Sequence, residues 1–474
     1  MKVALVFCAA WDTKYSGYAL PSLAAVLAAR GHETAIFDLN QALSLLGRCG
    51  SDDRAEFLDL AEWSDERFVR RQMESHAGYL RALVDRVLSE GHRVVGFSVH
   101  FSNLLMSLEM ARLFKLRDPG VVVVFGGTQF LRYERCLDHV RREEIDAVVY
   151  GEGDISFPRL IDGLERSGTL QAGPGVLLRS DPSTWKEASE PPSDLNALPF
   201  ADFGAHRLSP VRSKVMNTTR GCVRKCDFCS EWRTMKLRQK NGDRIHAELA
   251  YQLAAHPEAN SFIFGDSLVN AIPSAFEAFC GRMIREPLDL SWRGHAIVRA
   301  EMTRTALENA RQSGCDGLCY GIESGSDRLR RRIGKNTPDD MIASVLRDTV
   351  AAGMESVGLF MVGHPAETEE DFAQTLDFIK ANAGGISSMN ITAFLMTEFE
   401  GREAEYGLAP LVDHLYWRSL DDANTYPIRI ERVRLLGRVA VACGVPVSFD
   451  GRRDREIEAH CDESLTHFFA SSPR

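Results

Sequence analysis

A chain of 474 residues is long enough for two or three domains of about 150 residues each. An apolar content of 45% and a charged content of 26% are typical of a globular protein, and the net charge of −10 argues against general binding to nucleic-acid backbones. The sequence contains no run of about 18 apolar residues that would span a membrane. Its 11 scattered cysteines indicate a reducing cytoplasm.

Residues 1–167 alternate short apolar runs with helical patterns. Val-rich runs without polar alternation are typical of strands that are buried on both faces of a parallel sheet. Such runs stand at 2–8, 34–39, 94–99, 121–125 and 147–150, with helical periodicity at 20–29, 77–89, 104–115 and 155–164. The alternation predicts a doubly wound, Rossmann-like or flavodoxin-like α/β domain, which binds ligands outside the carboxyl ends of its strands. A charged, helical-looking insertion at 41–76 interrupts the alternation.

Small residues and glycines stand at three of the predicted strand ends. Ser98 lies near the end of the third run, Gly126-Gly127 follow the fourth, and Gly151-Glu152-Gly153 follow the fifth. Glycine lets a backbone approach a bulky ligand closely. Ordinary tight turns have the same composition, but three successive strand ends of this kind favour a ligand site.

The rest of the chain divides into three segments. Residues 168–210 are rich in Gly and Pro, which predicts a linker. Between 211 and 397, strand candidates at 214–218, 261–265, 290–295, 317–322, 356–362 and 390–395 alternate with helical patterns. Six such units are fewer than the eight of a closed barrel, which predicts a partial (β/α)6 TIM-type barrel. Residues 398–474 are predicted to be a small helical C-terminal segment, with helices at 430–443 and 455–468.

Three cysteines, Cys222, Cys226 and Cys229, follow the first strand candidate of the barrel. Thiolates are the usual ligands of iron–sulfur clusters. A cubane cluster has four irons, so three cysteines leave one iron open for chemistry, as an open position does in catalytic zinc sites. The alternatives are three unrelated thiols or a partial zinc knuckle. A zinc knuckle needs a fourth Cys or His at short spacing, and His246 does not make such a pair.

With this stretch placed after a barrel's first strand, the chain resembles radical S-adenosylmethionine (SAM) enzymes that carry an N-terminal cobalamin-binding domain. The resemblance implies that Cys222, Cys226 and Cys229 hold a [4Fe–4S] cluster and that Phe228 packs near the adenine of SAM. It also implies that an electron from the cluster cleaves SAM to a 5′-deoxyadenosyl radical.

Further residues match the SAM site of this family. Glu323 and Ser324 lie in the segment Gly-Ile-Glu-Ser-Gly-Ser, which resembles the family segment that faces SAM. Arg299 matches a position that reaches the ligand's carboxylate. Asp266 stands where many members have Gly-Gly-Glu, and would supply a similar carboxylate. His364 replaces the Leu of a Gly-Leu-Pro-Gly-Glu-Thr turn. Either this change adjusts the function of the turn, or His364 is an exposed side chain.

The cobalamin contacts implied by the resemblance lie at the strand ends of the first domain: Asp12, Thr13, Ser98, Gly126, Gly127, Gly151, Glu152 and Gly153. One departure concerns the loop after the first strand. Cobalamin mutases and methionine synthase have an Asp-x-His-x-x-Gly loop whose His ligates cobalt, whereas Lys14 stands at that position here. The expectation is therefore that cobalamin binds without a protein axial ligand; the alternative is a scaffold domain that has lost cobalamin.

The resemblance implies a methyltransferase that uses the radical and methylcobalamin to methylate an unactivated carbon of a small-molecule or peptide substrate. It also implies an electron donor of the flavodoxin or ferredoxin type. Two alternatives stay open: a cyclase, ring-contraction or rearrangement enzyme with the same cofactors, and a non-catalytic iron–sulfur or cobalamin sensor. A lone His such as His100 could face a substrate, although most are structural.

Overall fold

The computed structural model describes residues 1–11, 13, 15–47, 62–182, 188–208, 213–396, 402–410 and 416–449. The chain forms two compact units. The first contains Met1–Met216 and Ala247–Ser261, and the second contains Asn217–His246 and continues from Phe262. No helix in the described ranges is both long and apolar enough to cross a membrane.

The first unit contains a six-stranded sheet with the order β2-β1-β3-β4-β5-β6. Its strands are β1 (Lys2–Phe7), β2 (Glu33–Asp38), β3 (Val94–Ser98), β4 (Val122–Gly126), β5 (Ala147–Val149) and β6 (Val176–Leu178). β1 to β5 pair in parallel, and β6 is antiparallel to β5. The predicted doubly wound sheet is confirmed, because all five predicted strands are present within about two residues of their expected bounds.

Helices cover both faces of this sheet, so successive side chains of the central strands are all buried. All five residues of β3 are buried, and they contribute to two separate hydrophobic cores. This explains the continuous Val-rich runs in the sequence. The α-helices of this part of the chain are Ala19–Ala28, Leu39–Gly47, Glu66–Ser75, Ala77–Ser89, Leu104–Arg117, Tyr133–Val140 and Gly153–Ser167.

Two expected boundaries differ from the structure. The segment 168–210, predicted to be a linker, contributes β6, because its Val-Leu-Leu run is buried at the sheet edge despite the surrounding Gly and Pro. Residues 247–261, predicted to belong to the barrel, pack with the first unit. There Glu248 accepts a hydrogen bond from Tyr18 Oη at 3.4 Å, and Gln252 Nε2 donates to Ala201 O at 2.7 Å.

The second unit is built on a parallel sheet in which β7 to β12 follow one another in chain order. The strands are β7 (Ser261–Phe264), β8 (Ser291–Ala296), β9 (Cys315–Glu323), β10 (Glu355–Val362), β11 (Ser388–Ala393) and β12 (Val447–Phe449). Burial alternates along β10, as expected where one face packs on helices and the other faces a barrel interior. The predicted strand at 214–218 is present as Ser213–Met216.

Among the described residues from 231 onward, the α-helices are Glu231–Thr234, Gly242–Ala255, Pro273–Arg285, Arg304–Gln312, Asp327–Arg332, Asp339–Ala351, Glu369–Asn382 and Tyr426–Ala442. The last of these corresponds to the helix predicted at 430–443. The predicted helix at 455–468 lies outside the described residues. The C-terminal segment is not purely helical, because β12 pairs in parallel with β11.

Asp371 joins the start of a helix to the turn after β9. It forms a capping box with Thr368 at the start of Glu369–Asn382. Its carboxylate also accepts from Ser326 Oγ at 2.5 Å and pairs with Arg328. Burial alone would raise the pKa of Asp371, but the hydrogen bonds from Arg328, Ser326 and Thr368 outweigh it and hold the pKa well below its usual range.

We expect the Asp371→Asn variant to lose about 3 kcal/mol of unfolding free energy at neutral pH, because several buried donors lose an ionised acceptor. The folded-state pKa lies below the unfolded value, so the carboxylate stabilises the fold fully above about pH 4 and less as the pH falls further. The deficit of the variant should therefore shrink in acid. Urea unfolding of both proteins at neutral and acid pH measures it.

Asp377→Asn, on the same helix, is the matched control. Asp377 is exposed and pairs only with Lys380 among the ion pairs of the described residues, so its removal should change stability by less than about 1 kcal/mol. An equal loss in both variants, or a deficit for Asp371→Asn that does not change with pH, would contradict the assignment.

Candidate functional site: a cysteine-lined cavity

The cysteine loop is fixed from its sides by backbone contacts. Trp232 Nε1 donates to the carbonyl oxygen of Cys226 at 2.8 Å, and the amide of Asp227 donates to Ile333 O at 3.2 Å. Gly334 lies directly beneath the loop with φ +88°, and a Cβ built there would lie 2.8 Å from the carbonyl oxygen of Lys225. The segment after Asp327–Arg332 therefore supports the cysteine loop at a distance that only glycine allows.

All three cysteines line a single cavity of about 190 Å³ within the second unit. Cys226 is buried, and Cys222 and Cys229 are half-buried. Phe228, Glu323 and Lys335 line the same cavity, as do Arg224, Glu231, Ser267, Leu268, His295, Arg330 and Thr337. The strand ends of β8 and β9 thus face the cysteine loop, as the barrel topology predicts.

Burial favours the neutral form of the three thiols. It raises the pKa of Cys226 to about 11 and raises the pKa values of Cys222 and Cys229 as well. Metal ligation needs thiolates, so loading the site releases protons. In the described part of the chain, no three His, Cys, Asp or Glu side chains are close enough together to chelate one metal ion.

Glu323 and Lys335 form an ion pair in the wall of this cavity. Lys335 Nζ lies 2.6 Å from Glu323 Oε1 and donates to the carbonyl oxygen of Gly321 at 2.7 Å. Burial alone would lower the pKa of Lys335, but the Glu323 carboxylate raises it, so the ammonium stays charged. A Cβ at Gly321 would lie within 2.7 Å of both charged groups, so a side chain there would displace the pair.

The backbone is irregular where Glu323 enters the cavity. The pairing of β9 with β10 shifts register between Gly321 and Glu323, and Glu323 has φ +68°. Positive φ is uncommon for a residue other than glycine and costs about 1–3 kcal/mol. The bulge re-aims the carboxylate, as bulges beside active sites do.

Three residues expected at the SAM site do not line the cavity. Both carboxylate oxygens of Asp266 accept hydrogen bonds from Thr218 or Thr219, and burial raises its pKa to about 6. Ser324 Oγ is buried 3.0 Å from Thr375 Oγ1. Arg299 donates to the carbonyls of Asn270 and Ala271 and pairs with Glu301. These contacts hold strand ends together, a role that the sequence pattern did not distinguish from ligand binding.

His364 is fully buried behind the cysteine loop, which excludes the expectation of an exposed side chain. Its Nε2 lies 3.4 Å from Asp227 Oδ2, and Tyr406 Oη donates to the same oxygen at 2.9 Å. Burial opposes ionisation of Asp227, but the adjacent His364 imidazole and the hydrogen bond from Tyr406 hold its pKa below the usual value. Asp227, which lies between Cys226 and Phe228 in the cysteine loop, is therefore held by His364 and Tyr406 from two distant segments.

Sequence reasoning missed Lys335, the cation that pairs with Glu323. The available signal was a Lys 12 residues after Glu323, beyond one short helix, but spacing alone does not show that a side chain returns to a strand end. His295 and Arg330 were missed for the same reason, since they reach the cavity from β8 and from Asp327–Arg332.

In the first unit, hydrogen bonds tie the carboxyl ends of the central strands together. Asn103 Nδ2 donates to the carbonyl oxygens of both Cys8 and Ser98, and Ser102 Oγ donates to Ala10 O at 2.8 Å. Gly127 has φ +104°, and a Cβ there would lie 2.6 Å from the backbone nitrogen of Val99. These residues make the edge after β1, β3 and β4 rigid.

The glycines predicted to approach a ligand are explained in part by packing within the protein. A Cβ at Gly151 would lie 2.6 Å from Ser189, whose hydroxyl donates to the carbonyl oxygen of Glu152. Gly126 packs near Val149, and Gly153 begins the helix Gly153–Ser167. Thr13 is buried. Asp12 and Lys14 lie outside the described residues.

Exposed aromatic groups stand at the same edge, around His100. Trp11 is 40% exposed and Phe101 is 56% exposed. The ring of His100 stacks on Trp11 at 4.7 Å between centroids, and its Nδ1 lies 2.6 Å from Thr128 Oγ1. Burial lowers the pKa of His100 to about 4, so the imidazole is neutral at physiological pH.

Several known proteins are similar to this chain. The family model of the Radical SAM superfamily matches residues 216–379. An uncharacterized methyltransferase of Pyrococcus horikoshii is 27% identical over 303 residues, which are 60% of this chain and 64% of that protein. The hopanoid C-3 methylase of Methylococcus capsulatus is 28% identical over 314 residues, 61% of this chain and 57% of the enzyme. The chain therefore spans less than two thirds of these relatives.

Among solved structures, the radical SAM methyltransferase TsrM from Kitasatospora setae, with cobalamin and a [4Fe–4S] cluster bound, aligns with a TM-score of 0.63. The alignment covers 90% of this chain and 83% of that one at 15% identity. At this identity the similarity shows a common fold, which extends over both units of the chain.

Proposed function

Because this chain contains a radical SAM domain at residues 216–379, we propose that it is a cobalamin-dependent radical SAM methyltransferase acting at an unactivated carbon. The observation that carries the proposal is the single cavity lined by Cys222, Cys226, Cys229 and Glu323. Two named relatives are a methyltransferase and a methylase, and a methyltransferase of the same fold holds both cofactors.

The residues present fit the groups that they would hold. Three thiols on one cavity wall suit a cubane cluster, whose irons each take a separate ligand, better than a single ion. The paired charges of Glu323 and Lys335 complement the ammonium and carboxylate groups of an amino acid such as the methionyl part of SAM. At the carboxyl edge of the first sheet, the exposed rings of Trp11 and Phe101 offer apolar area to a flat macrocycle.

When bound, the cluster supplies an electron for cleavage of SAM and cobalamin carries the methyl group. The protein's own residues bind and orient these groups and enclose the site. Gly334 and Trp232 hold the cysteine loop, Phe228 places an apolar ring in the cavity beside the cysteines, and the β9 bulge aims Glu323 at the same space. The proposed substrate is a small molecule or a peptide. The proposed electron donor is of the flavodoxin or ferredoxin type, and the proposed location is a reducing cytoplasm.

The test is anaerobic reconstitution with iron, sulfide and hydroxocobalamin, followed by a strong reductant and SAM labelled with a deuterated methyl group. We expect 5′-deoxyadenosine, stoichiometric bound corrin, and the label on the corrin by mass spectrometry. No 5′-deoxyadenosine from protein with an intact cluster would contradict the radical chemistry and favour a sensor. 5′-Deoxyadenosine without labelled corrin would favour a cyclase or rearrangement enzyme.

A further inference from the structure

The loop that carries the three cysteines has an inner and an outer side. Cys222, Arg224 and Cys226 line the cavity, whereas the two residues between them, Val223 and Lys225, are exposed. The apolar side chain of Val223 is 41% exposed. Each of these exposed residues is bonded directly to a cysteine, so the outer side lies one residue away from the thiols that would hold the cluster.

The short helix after the loop extends this outer side. Arg233 is exposed, and its guanidinium lies over the ring of Trp232, 4.7 Å from the centroid. Trp232 Nε1 in turn donates to the carbonyl oxygen of Cys226 at 2.8 Å. The indole therefore connects the surface to the backbone of the buried cysteine. We call the exposed residues of this segment the outer face: Val223, Lys225, Arg233 and Lys236.

The outer face carries positive charge that the protein does not neutralise. Seven basic and two acidic residues lie between positions 220 and 240, in a chain whose net charge is −10. In the part of the chain that the structure describes, the three cations of the outer face form no ion pair. By contrast, the exposed Arg331 and Arg332, which follow β9, pair with Asp327 and Glu405. Exposed charges act over about 10 Å at 0.1 M salt, so this face attracts an acidic partner.

We propose that the outer face is the docking surface of a small, acidic one-electron carrier protein, such as a flavodoxin. The inference rests on the proposed function, because it presumes a cluster in the cavity. Cations around one exposed apolar side chain suit a small, transient contact, in which charge guides the encounter. One electron leaves the flavin hydroquinone of the carrier, which becomes a semiquinone, and reduces the cluster by one electron.

A nucleic acid is the other class of acidic partner. The net charge of −10 opposes it, whereas the short path from the outer face to Cys226 has a direct use in electron delivery. The observations therefore favour the carrier protein.

Binding without turnover is the first test. Lys225→Glu combined with Lys236→Glu reverses two charges and leaves the cysteines and Trp232 unchanged. A purified flavodoxin, in its oxidised form, is titrated calorimetrically against the cluster-loaded chain. The double variant should bind it about tenfold or more weakly at low salt. The difference should shrink as ionic strength rises, because salt screens exposed charges.

Two reductants then separate docking from chemistry. With photoreduced flavodoxin and SAM, the double variant should form 5′-deoxyadenosine about tenfold or more slowly than the unsubstituted protein. With titanium(III) citrate, which needs no docking surface, the two rates should be equal. Iron content and circular dichroism verify that the cluster and the fold are intact in each sample.

Arg347→Glu combined with Lys380→Glu is the matched control, because it changes the net charge by the same amount. Both residues are exposed, and they lie in the second halves of the helices Asp339–Ala351 and Glu369–Asn382. In strand–helix units these halves lead back to the amino ends of the strands, away from the cysteine loop. This variant should bind flavodoxin as the unsubstituted protein does.

Each outcome decides the inference. Unchanged flavodoxin binding in the first double variant, or equal losses in both double variants, would overturn the docking surface and leave the proposed function intact. No 5′-deoxyadenosine from the unsubstituted protein with titanium(III) citrate would overturn the proposed function, while the binding data still decide the docking surface. Weaker binding of a single-stranded RNA oligonucleotide, with unchanged flavodoxin binding, would assign the outer face to a nucleic acid and overturn the inference as well.

Discussion

The Cys226→Ala variant is expected to lose the iron–sulfur cluster and, with it, all cleavage of SAM above background. Cys226 is the buried member of the three cysteines, and its backbone carbonyl is fixed by Trp232. Two cysteines cannot hold a cubane whose open iron must remain free for SAM. Because removing even an outer-shell partner of a metal site costs about 10–100-fold, loss of a direct ligand should lower 5′-deoxyadenosine formation by more than about 100-fold.

Iron and sulfide content, the electron paramagnetic resonance signal of the reduced cluster and 5′-deoxyadenosine formation measure this loss together. Cys443→Ala is the control, because Cys443 follows the helix Tyr426–Ala442 and does not line the cavity. It should keep a full cluster and full activity. If Cys226→Ala retained SAM cleavage, or if both variants lost the cluster equally, the assignment of the three cysteines would be wrong.

The parts of this site that the sequence predicted are those set by local spacing. The three cysteines lie within eight residues, so a single loop brings them together wherever the chain places it. Glu323 was predicted from the resemblance of the segment Gly-Ile-Glu-Ser-Gly-Ser to a family segment that faces SAM, which is a match of short, local sequence. In the same way, the buried Val-rich runs predicted β1 to β5, since the burial pattern of a doubly wound sheet repeats in every strand.

The parts that could not be predicted depend on pairing between distant segments. Asp266 and Ser324 stand at strand ends like Glu323, but neighbouring Thr hydroxyls and amides take up their hydrogen bonds. The β9 register shift decides that Glu323 faces the cavity. β6 was hidden because a three-residue strand within a Gly- and Pro-rich segment leaves no periodicity to read.

The same reasoning applies to His364, which the sequence left as an exposed or a tuned residue. It is buried because Tyr406 and Phe394, from later segments, pack against its ring. Together with Tyr406 it holds Asp227 inside the cysteine loop. The turn that resembles a family motif therefore acts here through the Asp227 side chain of the cysteine loop, a role that spacing within the turn does not reveal.

Lys335→Met is expected to weaken SAM binding to the cluster-loaded protein by about 100-fold or more. Loss of one partner of a buried, hydrogen-bonded charge pair in a binding site costs about 2–5 kcal/mol of binding free energy, and 1.4 kcal/mol corresponds to about tenfold in affinity. Here the variant leaves the Glu323 carboxylate without its cation and removes the positive charge that would face the carboxylate of SAM. Isothermal titration of SAM measures the affinity, and iron content on the same samples verifies that the cluster is retained.

Two further variants separate binding from folding. Lys335→Arg keeps the charge and should recover much of the affinity, whereas Lys380→Met removes an exposed lysine that pairs with Asp377 and should change nothing. In a double-mutant cycle, Glu323→Gln combined with Lys335→Met should cost less than the sum of the two single variants, because each single change leaves an uncompensated charge. Additive losses, or unchanged affinity in Lys335→Met with a full cluster, would mean that the pair does not act as a unit in binding SAM.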